Sequence, residues 1–228
     1  MKILALETAT LAGSIAIADD RYGLVSEVRV NLKIAHAERL MPSIQWILDA
    51  SRMSVDEIDA FAVSIGPGSF TGLRIGLSTA KGLSYAGKKP IVPVPTLDAF
   101  ARTLPYCSYM ICPMFDARKS QVYAALYRWE QHACRKVMDE IAVGLDTLLK
   151  QFDEPVVFLG EGAKLCRQQI SDTLGDLALF APESRMSPSA SAVAEIAFEK
   201  MEKGETADPV RLTPFYIRKS EAELRWKA

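Results

Sequence analysis

The chain has 228 residues, of which 49% are apolar and 24% are charged, and its formal net charge is −1. This is the composition of an ordinary globular protein, long enough for one large domain or two smaller ones. A near-neutral chain has no global basic field for holding nucleic acid, so contact with RNA would need a local patch or a partner.

Cysteine usage and hydropathy indicate the compartment. The four cysteines form no Cys-x-x-Cys pair and no signal peptide is recognised. No uninterrupted apolar run approaches the ~20 residues that span a bilayer. We therefore expect free thiols, a reducing cytoplasm and no membrane segment.

The first thirty residues predict three strands. Residues 2–6 and 14–18 are apolar runs, and residues 24–30 alternate in the manner of a half-buried strand. Glu7 and Thr8 stand at the first turn of this meander, where they are either site residues or ordinary turn residues.

A helix is predicted from His36 to Arg52. Its apolar stripe has the normal width for a surface helix. Trp46 falls on the opposite side near Arg39, and both residue types are favoured at interface hot spots. His36 and Glu38 do not suffice for zinc, which needs three or four ligands, so no metal site is expected.

The stretch from Ser64 to Leu77 is the most informative part of the sequence. A buried strand over residues 60–65 runs into Gly66-Pro67-Gly68, and a helix follows to about Tyr85. A strand, a glycine turn and a helix N-terminus can present backbone N–H groups to an anion. A plain strand-to-helix connection fits the spacing equally well.

The helix after the glycine turn has an unusually wide apolar face. At 100° per residue its apolar and small residues cover roughly 220° of arc, whereas a surface helix needs a stripe of only about 100° or more. We expect one side to face the sheet and another to face a neighbouring helix or a second protein, with Gly72 and Gly76 allowing close approach. A central helix of a single domain is the alternative.

The second half repeats the first in outline. A strand over 109–115, a turn at 116–120 and a strand over 121–129 are followed by a strand over 156–159 that runs into Gly160-Glu161-Gly162. The same order occurs roughly a hundred residues earlier, which predicts a duplicated topology. Helices are predicted over 146–151, 164–174 and 187–203, and the best boundary between the halves is residues 104–106.

Four segments carry a resemblance to a known family. They are Ile3–Thr10, His36–Leu40, Gly66–Gly76 and Pro214–Arg218. On these segments the whole chain resembles the bacterial TsaB family, also called YeaZ. The resemblance implies an α/β, actin/Hsp70-like ATPase fold (ASKHA, RNase H-like) with two related βββαβαβα halves. The implied halves are 1–105 and 106–228, with the tail packing back on the first half.

The resemblance also implies a function. Members are required for threonylcarbamoyladenosine (t6A) next to the anticodon of tRNAs that read codons starting with A. They bind and activate the catalytic paralogue TsaD, with the ATPase TsaE as a further partner; tRNA is contacted through the complex, and a homodimer is expected when the chain is alone. The paralogue's His-x-x-x-His metal motif has no counterpart in residues 94–100, so we expect no catalysis by this chain by itself.

The resemblance places the partner surface on the first two helices. The residues expected there are Arg39, Trp46, Phe70, Leu73, Arg74, Gly76, Leu77 and Ala80.

Nucleotide binding is left open, with no certain cofactor and with ATP or ADP as the candidates at the complex. The candidate nucleotide-binding residues are Glu7, Thr8, Gly66, Gly68, Asp116, Arg118, Gly160 and Gly162. Candidate cationic contacts to tRNA are Arg118, Lys119, Arg218 and Lys219.

Two other functions fit parts of the sequence. A peptidase or glycoprotease-like hydrolase, metal-dependent or not, would need a nucleophile with a base, but no Gly-x-Ser-x-Gly elbow occurs. A small-molecule kinase on the same fold would need fuller phosphate loops than Gly66-Pro67-Gly68 and Gly160-Glu161-Gly162 provide.

Overall fold

The computed structural model describes residues 1–218, and within them the chain forms ten strands and seven α-helices. The strands are β1 (Lys2–Glu7), β2 (Gly13–Asp19), β3 (Gly23–Val30), β4 (Ala60–Ser64), β5 (Ile91–Val94), β6 (Met110–Arg118), β7 (Gln121–Glu130), β8 (Ala133–Gly144), β9 (Val156–Leu159) and β10 (Ala178–Phe180). The helices are α1 (His36–Ala50), α2 (Phe70–Gly87), α3 (Thr96–Arg102), α4 (Leu145–Leu149), α5 (Glu161–Leu165), α6 (Arg167–Leu174) and α7 (Ala190–Glu202).

The predicted duplication is confirmed by the two sheets. One has the strand order β3-β2-β1-β4-β5, and the other has the order β8-β7-β6-β9-β10. Each contains an antiparallel three-strand meander followed by parallel strands, so adding five to each strand number of the first sheet gives the second. The chain therefore has an α/β fold with two related halves, as the resemblance to an actin-like ATPase fold implied.

The chain separates into two compact units. The N-terminal unit contains Met1–Ala99 and Pro188–Phe215, and the C-terminal unit contains Phe100–Ser187 and the described residues after 215. This division differs from a single boundary near residue 105. The reason is α7, whose Val193 and Ala197 pack in one apolar cluster with Ile3 and other residues of the first sheet.

Two strands, β8 and β10, have no counterpart in the sequence prediction, whereas β5 was expected as a short extended segment over residues 91–95. β8 reads Ala-Cys-Arg-Lys-Val-Met-Asp-Glu-Ile-Ala-Val-Gly, and its four charged residues hide the apolar alternation. It lies at one edge of its sheet, where charged residues are common because they discourage pairing with other chains. β10 has three residues, too few to give a sequence pattern.

The first sheet is covered on both faces. Alternate residues of a strand point to opposite faces, and in β1 Leu4 and Leu6 pack with α1 and α2 while Ile3 and Ala5 pack with α7. Because both faces are covered, the central strands are almost continuously apolar. In β4, for example, all five residues from Ala60 to Ser64 are buried.

The second sheet has its own core. Cys112, Met114 and Phe158 from the sheet pack with Leu148 and Ile170 from the helices. Over residues 1–218, no helix combines the length and the apolar composition needed to cross a bilayer.

Candidate partner-binding face and glycine loop

The glycine loop, Gly66-Pro67-Gly68, is held by contacts within the N-terminal unit. Gly66 has φ +125°, which favours glycine, and its peptide bond to Pro67 is cis. The Gly66 N–H donates to Thr96 Oγ1 at 3.0 Å, and the Thr96 N–H donates to the Gly66 carbonyl at 2.8 Å. A Cβ on Gly66 would lie 2.5 Å from the carbonyl oxygen of Phe215, so this backbone approach requires glycine.

The other glycines of this stretch bring α2 against the end of β1. A Cβ on Gly68 would lie 2.5 Å from the Ala9 carbonyl oxygen, and one on Gly72 would lie 2.1 Å from the Thr8 carbonyl oxygen. One on Gly76 would lie 2.1 Å from Thr8 Oγ1. The close approach that we expected from a neighbouring helix or a second protein is therefore made by Thr8 of the same unit.

His36 and Arg39 hold the β1–β2 turn, residues 8–12. The Arg39 guanidinium donates to the carbonyl oxygens of Leu11 at 2.5 Å and Val30 at 2.8 Å, and to His36 Nδ1 at 3.1 Å. His36 Nε2 lies 2.7 Å from the Thr10 carbonyl oxygen. A carbonyl only accepts and a guanidinium only donates, so His36 is neutral with its proton on Nε2. Burial, followed by the nearby Arg39 charge, lowers the pKa of His36 and so favours this form.

Arg39 therefore acts within the fold, although its sequence position suggested a contact with a partner. We expect Arg39→Lys to lower the free energy of unfolding by about 1 to 2 kcal/mol, because one ammonium cannot reach the Leu11 and Val30 carbonyls together. Urea unfolding would measure the change. Arg52→Lys, at an exposed position after α1, is the control and should stay within about 0.5 kcal/mol of wild type. If both variants lost the same free energy of unfolding, the stabilising role of the Arg39 hydrogen bonds would be contradicted.

Four of the predicted partner residues lie inside the N-terminal unit. Leu73 is 1% exposed, Leu77 is 4% exposed and Ala80 is fully buried, and Gly76 packs on Thr8. Leu77 and Ala80 belong to the apolar cluster under α1 and α2. The prediction that these side chains offer a surface to a partner is corrected here, because the sheet and the β1–β2 turn already cover them.

The opposite side of α2 is exposed. We call it the outer face. Its first turn carries the Phe70 ring, 38% exposed, with the Arg74 guanidinium carbon 3.9 Å from the ring centroid. Its last turns carry Tyr85, which is 84% exposed. The exposed residues of α2 that form the outer face are Phe70, Thr71, Arg74, Ser78, Gly82, Tyr85 and Ala86.

Helix α1 packs beside α2 and contributes further apolar exposure. Met41 is 52% exposed and Trp46 is 59% exposed, as predicted for Trp46. At 100° per residue Met41 borders the buried stripe of α1, whereas Trp46 lies on nearly the opposite side of the helix. Trp46 lines a groove of about 440 Å³ with Val28 of the edge strand β3, so it faces away from α2.

The C-terminal unit has a second set of turns at the same place in its sheet. Gly160 has φ +105°, and a Cβ there would lie 2.2 Å from the Met114 carbonyl oxygen. Asp116 Oδ1 accepts from the Arg118 N–H at 2.8 Å, and Asp116 Oδ2 lies 3.5 Å from Arg118 Nη1. Burial raises the pKa of Glu161, and the Asp116 carboxylate raises it further.

The candidate cationic contacts to tRNA that the structure describes lie around the β6–β7 hairpin. Arg118 and Lys119 both have positive φ, at 63° and 53°. Arg218 Nη1 donates to the Ala117 carbonyl oxygen at 2.6 Å, which ties residue 218 to this hairpin. Lys219 lies outside the described residues.

The nucleotide candidates thus form one group in each unit. Glu7, Thr8, Gly66 and Gly68 come together in the first, and Asp116, Arg118, Gly160 and Gly162 in the second. In the first group each glycine is accounted for by its packing against the chain itself, so its presence alone does not argue for a phosphate. Among residues 1–218, no three His, Cys, Asp or Glu side chains converge as metal ligands do.

The sequence analysis missed the relation between Glu7 and Ser64. Leu6 of β1 pairs with Val63 of β4 in parallel register, so the next residues, Glu7 and Ser64, are neighbours. Both side chains are fully buried. The signal was a glutamate directly after one apolar run and a serine near the end of another, and it becomes informative only when the two strands are known to pair.

Comparison with known proteins places these features in context. Residues 23–226 match the family model described as TsaD, tRNA N6-adenosine threonylcarbamoyltransferase. The chain is 35% identical over 229 residues to the tRNA threonylcarbamoyladenosine biosynthesis protein TsaB of Bacillus subtilis, covering 99% of this chain and 98% of that protein.

Solved structures give the same picture. A Pseudomonas aeruginosa protein with similarity to peptidase YeaZ superposes with a TM-score of 0.82 at 25% identity, over 95% of this chain and 99% of that one. The activator of 2-hydroxyisocaproyl-CoA dehydratase from Clostridium difficile, solved with bound ADPNP, has a TM-score of 0.52 at 9% identity over 95% of this chain and 100% of that one. The second likeness shows the shared fold alone.

Proposed function

This chain belongs to the TsaB family of tRNA threonylcarbamoyladenosine biosynthesis proteins, and from that premise we propose that it is a non-catalytic activating subunit. In this proposal it binds the catalytic paralogue TsaD in the cytoplasm, and TsaE joins the complex. The complex transfers the threonylcarbamoyl group to the adenosine next to the anticodon. Contact with tRNA is made through the complex.

The outer face of α2 is the observation that carries the proposal. It presents Phe70 and Tyr85 to solvent, beside α1 with its exposed Met41. Exposed aromatic side chains with an arginine between them are typical of interface anchors, because they bury large area at low entropic cost. The assignment of partner contacts moves from Leu73, Leu77 and Ala80 to Phe70, Arg74 and Tyr85.

The two histidines support a role without chemistry. A hydrolase of the serine–histidine kind would use a histidine as general base, with one ring nitrogen within reach of the nucleophile. Both ring nitrogens of His36 are engaged, one with the Thr10 carbonyl and one with Arg39. The chain's other histidine, His132, lies edge-on to the ring of Tyr106 on the β7–β8 hairpin.

Reconstitution of the modification tests the proposal. Purified TsaD, TsaE, tRNA, ATP and a threonylcarbamoyl-adenylate source would be combined with and without this chain, and modified adenosine would be measured by mass spectrometry of digested tRNA. We expect product only when the chain is present, and none from the chain without TsaD. Product without this chain, or from this chain without TsaD, would contradict the activating role.

A further inference from the structure

Glu7 is a buried carboxyl group in which only one of the two oxygens accepts a hydrogen bond. Its Oε1 accepts from the Ala9 N–H at 2.6 Å. Its Oε2 and the neighbouring Ser64 Oγ are both buried, and neither makes a hydrogen bond with any residue in the range 1–218. An ionised carboxylate in this position would have the Ala9 N–H as its hydrogen bond of normal length and the Ser64 hydroxyl beside it, which together do not offset the cost of burying its charge.

Among residues 1–218, the cation that acts on Glu7 is Arg29, and it is not a dedicated counterion. Across the sheet, Glu7 pairs with Ser14 of β2, and Ser14 pairs with Arg29 of β3. The Arg29 guanidinium lies 3.6 Å from Glu27, so its charge is shared with that carboxylate. Glu27 also accepts from Ser189 Oγ, at the start of α7.

Ser64 of β4 brings a hydroxyl beside Glu7. Ser189, the N-cap of α7, and Ser191 bond to Glu27. Burial raises the pKa of Glu7 to about 7, against the Ala9 amide, the nearby Ser64 hydroxyl and Arg29, which all lower it.

Glu7 is also the first link in a short chain of contacts that ends on α2. Glu7 fixes the Ala9 amide, and the Ala9 carbonyl accepts from the Ser69 N–H at 2.7 Å. Ser69 is the N-cap of α2. Between them, Thr8 Oγ1 donates to the Gly72 carbonyl at 2.9 Å. The first turn of α2 carries Phe70 and Arg74 on its outer face.

We propose that Glu7 is a proton-sensitive element of this fold, which holds the β1–β2 turn and the start of α2 in place when neutral and loosens them when ionised. Resting on the proposed function, this makes the binding of TsaD at the outer face dependent on pH near neutrality. The Ala9 N–H bonds an ionised carboxylate more strongly than a neutral one, so the loosening comes from the cost of keeping the charge buried, which is relieved when the turn opens to water. The neutral form is the one that presents Phe70 and Arg74 in fixed positions.

The titration itself is tested through stability. Between the ordinary pKa of a glutamate and the raised pKa of Glu7, the folded chain keeps a proton that the unfolded chain loses, so stability falls as pH rises through this window. Relative to Glu7→Gln, the unfolding equilibrium constant of the wild type should rise roughly 70-fold from pH 5 to pH 8. Exposed Glu57, whose pKa is lowered by hydrogen bonding to the Ser54 amide, titrates below this window, so Glu57→Gln should behave as wild type. If the ratio of the unfolding equilibrium constants of the wild type and Glu7→Gln stays constant between pH 5 and pH 8, the proposal is overturned.

The coupling to α2 is tested by hydrogen exchange, which needs no partner. At pH 8 the Ser69 amide should exchange faster in the wild type than in Glu7→Gln, and at pH 6 the two should match. Equal rates at both values would overturn the coupling even if Glu7 titrates.

The consequence for binding is tested with purified TsaD. The apparent Kd of the wild type should weaken about tenfold from pH 6 to pH 8 if only the neutral form binds, and that of Glu7→Gln should stay constant after the same change. Parallel pH dependence in both proteins would overturn the regulatory part of the proposal. Absence of binding at every pH would instead refute the proposed function, and the exchange experiment would still decide the role of Glu7.

Discussion

Leu77→Glu is expected to unfold the N-terminal unit and to abolish activation for that reason alone. Leu77 is 4% exposed and packs with Ala80 and the underside of α1. Truncation of a buried leucine costs about 2 to 5 kcal/mol, and an unpaired carboxylate in its place adds a burial penalty. A loss of at least about 4 kcal/mol is a large share of the 5 to 15 kcal/mol typical of a domain.

Hydrogen exchange over β1 and β4, together with urea unfolding, would measure this effect. The matched control is Ser78→Glu, which introduces the same charge at the next residue but on the exposed side of α2. We expect the control to keep its exchange protection and to change the free energy of unfolding by no more than about 0.5 kcal/mol. A folded Leu77→Glu with specific loss of TsaD binding would restore the original assignment of Leu77 to the interface.

The corrected role of Leu77 shows where periodicity stops being informative. The helical pattern of α2 predicted a wide apolar arc that includes Gly72, Gly76 and Ala80, but it did not say what covers them. Gly72 and Gly76 lie against Thr8, which is 64 residues from Gly72 along the chain, and Ala80 packs in the apolar cluster under α1 and α2. No local pattern reports a neighbour at that distance, whereas the Gly66–Gly68 turn and the helix after it follow from local backbone preferences.

The duplicated topology was predictable because both halves carry the same local signals. Apolar runs ending at Glu7 and near Asp116, and Gly-x-Gly turns at Gly66 and Gly160, recur in the same order. The packing of α7 on the first sheet was not predictable, since its apolar stripe fits either unit equally well. What selects the first sheet is a set of contacts such as that of Ser189 with Glu27, made between residues 162 positions apart.

The candidate site shows the same limit. The sequence singled out Arg39 and Trp46 as candidates for an interface. It could not distinguish a residue that bonds within the fold from one that contacts a partner. Arg39 reaches the carbonyls of Leu11 and Val30 because β2 and β3 pair beside α1, and this is a property of the assembled sheet. Trp46 is exposed as expected, yet it faces the edge strand β3 and not α2. The position of Trp46 on the helix predicted that its side chain is exposed. Which strand the side chain faces follows only from the order of the strands in the sheet.

Arg74→Glu is expected to weaken TsaD binding while leaving the fold intact, which places the interface on the outer face of α2. The change reverses the charge beside Phe70 and removes the cation–π contact between them. Charge reversal in an interface lowers affinity through lost attraction and through new repulsion. The concentration of this chain that gives half-maximal tRNA modification should rise by at least about tenfold, which is 1.4 kcal/mol.

Lys203→Glu is the matched control for Arg74→Glu. It makes the same two-unit charge change in the same unit, at an exposed residue just after α7, which covers the other face of the sheet. It should leave half-maximal modification within about twofold of wild type, and both variants should keep wild-type stability. An equal loss in both would mean that net charge governs the association. No loss in either would move the interface away from α2. The groove beside Trp46 would become the next surface to test, because Trp46 is the large exposed aromatic side chain of α1.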